Sequence, residues 1–272
     1  MKRKLFLFSI ILNIFLFSFL CFGAYYKRAS LANYVTKYYN TIFLKKELEK
    51  IGEQFGEFSH QKYQAEIQLI NNNHNKKIKI AILGNSLTLI PDWNGGAGLT
   101  ASEPSKDYVH ILLNTISTEK KLNIEYLILN IAEFEREFEG FNFNRLEIIR
   151  NFEPDIIIFQ IGENVLTERL RIKGELFINN YVSLISYCSG ENVIICLPFW
   201  PEKEKINLIT EVALKSESYL VDLSHLGSGI DPLNFASSER KYDNPGVGAH
   251  PGDYGMNNIA KLLFITLNKI IE

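Results

Sequence analysis

Five short, largely apolar runs are what most limit the folds open to this chain. They lie at 78–83, 124–131, 155–160, 193–197 and 219–223. Helical patterns separate them near 107–116, 145–151, 176–187 and 205–216, and a last helix is expected over 255–270. Continuous apolar runs are typical of strands buried on both faces, and their alternation with helices indicates a parallel sheet covered on both sides. We therefore predict a three-layer α/β/α sandwich with a five-stranded parallel sheet over residues 77–272.

The N-terminus carries a second strong pattern. Lys2-Arg3-Lys4 precedes the apolar stretch Leu5–Tyr26, and about 20 apolar residues are enough to cross a bilayer as a helix. An uncleaved transmembrane anchor over 1–26 is predicted, with a cleaved signal sequence as the alternative. The basic start favours an internal N-terminus, which predicts a single-pass protein of the bacterial cell envelope with its body outside the cytoplasm.

The segment between the anchor and the sandwich is charged and amphipathic. It is predicted to form a helical juxtamembrane segment over 27–76, ending at the polar break Asn71–Asn75. The net charge of −2 argues against nucleic acid as a partner. Cys188 and Cys196 are expected to be buried and reduced, and no Cys/His spacing indicates a metal site.

Two residues that can act together in catalysis fall at the expected carboxyl edge of the sheet. Ser86 follows the first apolar run, and His250 lies in a Pro/Gly-rich loop before the last predicted helix. Sites in open α/β sheets gather beyond the carboxyl ends of the strands, so both side chains are expected at one rim. An imidazole beside a serine hydroxyl can make that serine a nucleophile. A helix N-cap is the alternative role for Ser86.

A third polar element follows the third strand, where Gly162 and Asn164 stand two residues apart. Gly162 allows a sharp turn, and the amide of Asn164 can donate to the oxyanion that develops during acyl transfer. Losing one such donor typically raises the barrier by about 2.7–4 kcal/mol. An ordinary turn-forming role is the alternative for Asn164.

Taken together, these segments resemble the SGNH hydrolases, also called the GDSL esterase/lipase family. The first block of that family is similar to Gly84-Asn85-Ser86, with Asn where Asp is usual. The third block is similar to Gly162-Glu163-Asn164, and the fifth to His250-Pro251. The blocks occur in the family's order. The resemblance implies a flavodoxin-like sheet and chemistry that needs no metal or organic cofactor.

The resemblance also implies a role for each matching residue. Ser86 is expected to be the nucleophile and His250 the general base. The backbone N–H of Ser86 and the side chain of Asn164 are expected to be the oxyanion donors. Gly162 supports the loop that carries Asn164.

Two departures from the family pattern leave parts of the site open. Val247 stands where the family usually has the aspartate that orients the histidine. Asp253 or Asp243 is a candidate for that role, and a backbone carbonyl, which would make the site a dyad, is the alternative. The second block lacks its usual glycine, so a backbone N–H near Ala132 or Glu133 is the candidate replacement. The acidic group at 133, 135, 137 and 139 is expected to be a solvated loop.

Aromatic residues near the rim are candidates for substrate binding. Trp93 and Asn94 lie in a long Gly-rich insertion after Ser86, and Trp200 follows the fourth strand. An indole can stack on a sugar face, and an amide can bind hydroxyls. Packing of these loops onto the domain is an equally supported alternative.

The sequence thus favours a membrane-anchored serine esterase that removes an acyl group, in particular acetyl, from a carbohydrate or small ester outside the cytoplasm. A polysaccharide O-acetyltransferase would use the same residues and is the first alternative. A catalytically inactive binding module of the envelope is the second, supported by Val247 and by the missing second-block glycine. The expected partners are an ester or acylated glycan substrate and the membrane.

Overall fold

The computed structural model describes residues 67–90 and 96–271. The predicted anchor over 1–26, and the predicted juxtamembrane helix as far as residue 66, lie outside the described residues. Among the helices of the described part of the chain, none is long and apolar enough to cross a membrane.

The described residues form a six-stranded mixed sheet between two layers of helices. The strand order is β1-β3-β2-β4-β5-β6, and every neighbouring pair is parallel except β1 with β3. The strands are β1 Gln68–Ile70, β2 Lys76–Gly84, β3 Leu122–Asn130, β4 Ile156–Gln160, β5 Asn192–Cys196 and β6 Tyr219–Val221. The five predicted runs correspond to β2 to β6.

The sheet has six strands rather than the predicted five, because the edge strand β1 was not predicted. Residues 68–70 were expected to be helical, but Gln68 pairs with Tyr126 and Ile70 with Ile124 in an antiparallel ladder. The Tyr126 hydroxyl also donates to Gln68 Oε1 at 2.5 Å. Three residues are too few to show a strand periodicity, so this strand is defined by its pairing with β3 rather than by its own sequence.

Helices cover both faces of the sheet, as predicted. They are α1 Tyr108–Lys120, α2 Ala132–Glu137, α3 Glu147–Phe152, α4 Thr167–Cys188, α5 Lys203–Lys215, α6 Pro245–Gly248 and α7 Asp253–Ile270. Helices α1 and α7 pack together over one face, whereas α4 and α5 pack together over the other. The short helices α2 and α6 were not predicted.

Alternate residues of β2 separate the two hydrophobic cores. Ile80 and Ile82 belong to the core beneath α1 and α7, while Ala81 and Leu83 belong to the core beneath α4 and α5. Because both faces are covered there, residues 80–83 are all apolar. Polar side chains resume where the strand ends, at the turn that carries Ser86.

The cysteines of the described domain are reduced and buried, as predicted. Cys188 ends α4 and Cys196 ends β5, and both are free thiols. Burial raises the pKa of Cys188 to about 12. Cys188 is therefore expected neither to act as a nucleophile nor to form a disulfide.

Candidate active site

Ser86 lies in a tight turn directly after β2. The Asn85 carbonyl accepts hydrogen bonds from Thr88 N and Leu89 N, both at 3.0 Å, and Asn85 Oδ1 accepts from Leu87 N at 3.0 Å. Ser86 is half-buried, whereas its neighbours from residue 80 to residue 90 are all buried. The turn therefore presents one accessible side chain, and the Ser86 backbone N–H donates to no described residue.

Gly84, which precedes this turn, has no room for a side chain. A Cβ atom there would come within 1.8 Å of Thr88 Oγ1 and 3.1 Å of the Gln160 carbonyl oxygen. The glycine of the first block is thus required by the close approach of the turn to the end of β2.

A connecting segment, residues 97–101, links the serine turn to the histidine loop. Leu99 N donates to the Ser86 carbonyl at 2.7 Å, and Thr100 Oγ1 lies 2.9 Å from the Pro251 carbonyl oxygen and also contacts the Leu99 carbonyl. Leu99 and Thr100 thus connect the backbone of Ser86 to the backbone of the residue that follows His250. No hydrogen bond among the described residues joins the Ser86 hydroxyl to the His250 ring, and such contacts often tighten only when substrate binds.

The His250 ring is oriented by a backbone carbonyl. Its Nδ1 lies 2.8 Å from the Gly246 oxygen, which is the fourth residue before it. Nδ1 must therefore carry the proton in the neutral ring, and Nε2 is left as the acceptor. Burial lowers the pKa of His250 below its ordinary value of 6.5, although the hydrogen bond to Gly246 opposes the shift. The imidazole is therefore neutral and basic near neutral pH.

The predicted acids do not orient this ring. The Asp253 carboxylate accepts from Ser102 Oγ at 2.6 Å and Ser102 N at 2.9 Å, and Arg240 lies 3.3 Å away. These contacts fix Asp253 in the first turn of α7, away from Nδ1, which faces Gly246. Asp243 is exposed. The carbonyl alternative is the one that the geometry supports.

Trp200 packs against His250 rather than lying open at the rim. Its ring meets the His250 ring edge-on, with centroids 5.0 Å apart, and its Nε1 donates to the Ala249 carbonyl at 3.2 Å. These contacts favour a supporting role for Trp200 in the histidine loop. Trp93 and Asn94 lie outside the described residues.

Asn164 is held at the end of the loop after β4. Its Nδ2 donates to Glu135 Oε2 at 2.6 Å, and its backbone N–H lies 3.2 Å from Glu135 Oε1. Gly162 turns the loop with a φ of +137°, and a Cβ atom there would lie 2.5 Å from the Ile209 side chain. The predicted turn at Gly162 is therefore present, and its residue must be glycine.

The second-block segment, 131–134, also reaches this rim. Ile131 N donates to the Gly84 carbonyl at 2.7 Å, and Asn130 Nδ2 donates to the Leu89 carbonyl at 2.7 Å. The Ala132 N–H donates to Asn130 Oδ1 at 3.0 Å and is not available to a substrate. The Glu133 N–H has no acceptor among the described residues, so it remains a candidate donor to the oxyanion.

Two carboxylates, the buried Glu135 and the half-buried Glu163, lie beneath the rim, and the sequence did not indicate either. Glu135 is only 1% exposed, although it was expected in a solvated loop. Glu163, the middle residue of the third block, accepts from Asn85 Nδ2 at 2.6 Å, Gln160 Nε2 at 2.6 Å and Phe199 N at 3.1 Å. Burial, together with the charge of Glu135, raises the pKa of Glu163 from 4.5 to about 7.

The raised pKa of Glu163 predicts a loss of stability as the pH rises. Because the folded-state pKa lies above 4.5, folding favours the protonated carboxyl. Its contribution is fully present below about pH 4.5 and is lost as the pH rises through about 7. We expect the free energy of unfolding of the wild type, measured in urea relative to Glu163→Gln, to fall from about pH 5 to about pH 8.

The exposed residue Glu137 supplies the matched control for this measurement. Glu137→Gln makes the same chemical change on the surface of α2 and should leave the pH dependence of unfolding as it is in the wild type. If the free energies of unfolding of the wild type and Glu163→Gln differ by the same amount at every pH, the prediction is contradicted.

Comparison with known proteins finds similarity at the level of structure. No protein-family model matches the chain, and no curated protein matches it. A two-domain esterase active on acetylated mannans superposes with a TM-score of 0.51 at 18% identity, over 72% of this chain and 50% of that one. A mutant of a Geobacillus acetyl-xylooligosaccharide esterase gives 0.45 at 15% identity, over 68% of this chain and 92% of its own. A lipase/acylhydrolase from Enterococcus faecalis gives 0.47 at 18% identity, over 70% and 95%.

These similarities concern the fold, since all three identities are below 20%. The three-layer architecture and its parallel strands agree with the resemblance drawn from the three sequence blocks. The described part of this chain therefore shares its fold with the two-domain esterase.

Proposed function

We propose that this protein is a serine ester hydrolase that removes an acetyl group from a carbohydrate or another small ester. The observation that carries the proposal is the connecting segment, which ties the turn of Ser86 to the loop of His250 through Leu99 and Thr100. An accessible serine and a neutral imidazole on adjoining loops form the pair that acyl transfer requires.

In the proposed reaction, His250 acts as base and then as acid. Nε2 takes the proton of the Ser86 hydroxyl while Oγ attacks the ester carbonyl carbon. The tetrahedral intermediate collapses, the alcohol leaves with the proton from Nε2, and the acyl group remains on Ser86. Water then attacks the acyl-enzyme with loss of a proton to His250, and collapse releases the carboxylic acid and returns the proton to Ser86.

The oxyanion of both intermediates needs donors that are already in place. The Ser86 N–H has no partner among the described residues. Asn164 Nδ2 uses one of its two hydrogens on Glu135, which leaves the second for substrate. Two such donors, with the Glu133 N–H as the candidate third, support acyl transfer chemistry at this rim.

Substrate class and location complete the proposal. The two-domain esterase with this fold is active on acetylated mannans, which supports an acetylated carbohydrate as substrate here. The basic start and the apolar stretch Leu5–Tyr26 support an anchored protein whose site lies outside the cytoplasm.

A serine-directed fluorophosphonate tests the proposed nucleophile without knowledge of the substrate. The full-length wild type should gain the mass of one adduct, because His250 activates the hydroxyl of Ser86. Ser86→Ala should gain none. Ser102→Ala is the matched control, since Ser102 lies near the histidine loop but donates to Asp253, and it should be labelled as the wild type is.

Two results would contradict the proposed function. Folded wild-type protein without an adduct would favour the inactive envelope module, and an adduct that persists in Ser86→Ala would place the nucleophile elsewhere. If Ser86 is labelled, release of acetate from acetylated oligosaccharides should follow, and it should be absent from Ser86→Ala.

A further inference from the structure

Glu135 is buried and accepts four hydrogen bonds. It lies on α2, is 1% exposed, and forms no ion pair among the described residues. Oε1 accepts from Gly162 N at 2.5 Å, Asn164 N at 3.2 Å and Asn85 Nδ2 at 3.2 Å, and Oε2 accepts from Asn164 Nδ2 at 2.6 Å. Oε1 thus accepts three hydrogen bonds and Oε2 accepts one, and the total of four is about as many as a carboxylate can accept.

Three of the four donors belong to the loop that carries Asn164. The remaining donor belongs to Asn85, the residue before Ser86. One buried side chain therefore ties the turn of the candidate nucleophile to the loop of the candidate oxyanion donor. Hydrogen bonds to a charged acceptor are roughly twice as strong as neutral ones, so this link should be stiff.

We infer that Glu135 is a positioning residue, which sets the orientation of the Asn164 amide toward the oxyanion; this inference rests on the proposed esterase function. An ionised carboxylate only accepts hydrogen bonds, so it selects the NH₂ group of Asn164 over the amide oxygen. With one hydrogen bound to Oε2, the amide cannot rotate, and the second hydrogen has a fixed direction. Glu135 itself is buried and does not touch the substrate.

The chemistry of glutamine makes Glu135→Gln an informative change. Glutamine has nearly the same shape but presents one acceptor oxygen and one NH₂ group. The NH₂ group would face either Asn164 Nδ2 or the N–H of Gly162, and each is a donor. Asn164 would have to turn its amide oxygen inward or lose its partner, and in both cases its direction would change.

A double-mutant cycle in the full-length chain tests this inference, with para-nitrophenyl acetate as the probe. Asn164→Ala should lower kcat by about 10²- to 10³-fold, the usual effect of losing one oxyanion donor. Glu135→Gln should lower kcat by a similar factor and leave KM within about twofold, because the contact forms in the transition state. The double variant should be no slower than Asn164→Ala alone, since Glu135 acts only through that amide.

Two further variants separate positioning from simple stability. Glu137→Gln, on the exposed face of the same helix, should keep the wild-type kcat. Glu135→Asp keeps acceptors for part of the donor set but shortens the side chain by one methylene, which draws the carboxylate away from the Asn164 amide, and it serves if the glutamine variant does not fold. It should show the same loss of kcat and the same absence of any further effect in the Asn164→Ala background.

The outcomes distinguish this inference from the proposed function. Losses that multiply in the double variant, or a Glu135→Gln enzyme with wild-type kcat, would overturn the role of Glu135 while leaving the esterase intact. A folded wild type that neither hydrolyses the ester nor reacts with the fluorophosphonate would overturn both.

Discussion

His250→Ala is expected to reduce kcat for acetyl ester hydrolysis by about 10⁴- to 10⁶-fold, the range of losses that follow removal of the acid or the histidine of a Ser-His-Asp triad. The ring is the group placed to take the Ser86 proton, since its Nδ1 is committed to Gly246 and its Nε2 has no acceptor or donor among the described residues. Without it, the hydroxyl must lose its proton to water. Initial rates with para-nitrophenyl acetate measure the effect.

The same residue sets the pH dependence of the wild type. The base must be neutral, so kcat/KM should rise with pH as His250 loses its proton. Burial holds the pKa of His250 below 6.5, so the midpoint of this rise should lie below that value. The profile of kcat/KM reports the groups of the free enzyme, and the acidic limb should be absent from the residual activity of His250→Ala.

His225→Ala is the control for this prediction. His225 is exposed after β6 and is outside the histidine loop, so its loss should leave both rate and pH profile unchanged. Activity of His250→Ala within about tenfold of wild type would mean that another group is the base, because a general base contributes at least about 10²-fold.

The strands and the three sequence blocks could be predicted because their signals are local. Ile80, Ile82 and Leu83 read as a buried strand from their own sequence, and Gly84 and Ser86 follow it within three residues. Their positions at the carboxyl edge then follow from the parallel sheet alone. Strand β1 could not be predicted in this way, since a three-residue strand depends on its partner β3.

The surroundings of the site depend on partners that are distant in sequence. Glu135 stands among alternating glutamates, a pattern typical of a solvated surface, and is buried beside Phe134 and Phe138. Its burial is possible only because Gly162 and Asn164 bring donors to it from 27 and 29 residues away. No property of the helix α2 on its own indicates that those donors exist.

The partner of the His250 ring was left open for a related reason. Every residue has a carbonyl, so no sequence pattern indicates which carbonyl accepts a hydrogen bond from the ring. Val247 indicated only that the usual acid is missing. The short helix α6, Pro245–Gly248, directs the Gly246 oxygen toward Nδ1, and such a turn is decided by the folded loop.

Asn85→Asp is expected to be strongly destabilising, although it restores the residue that the SGNH hydrolases usually carry. Asn85 is fully buried, and its Nδ2 donates to Glu135 Oε1 at 3.2 Å and to Glu163 Oε2 at 2.6 Å. Aspartate would keep the contact of Oδ1 with Leu87 N but would replace this shared donor with a third carboxylate. An uncompensated buried charge costs about 3–5 kcal/mol, and we expect a loss of that size in urea unfolding at about pH 8.

The destabilisation of Asn85→Asp should shrink as the pH falls, because protonation of the crowded carboxyls restores a donor and removes charge. Asn142→Asp is the matched control: Asn142 is exposed and accepts from Asn144 N, which aspartate can do equally well. Its effect should stay within about 0.5 kcal/mol. If Asn85→Asp unfolds at the wild-type urea concentration, the two glutamates tolerate a third acid. The asparagine in the first block would then be independent of them. If the predicted loss is found, the amide of Asn85 is required by the two glutamates that accept from it.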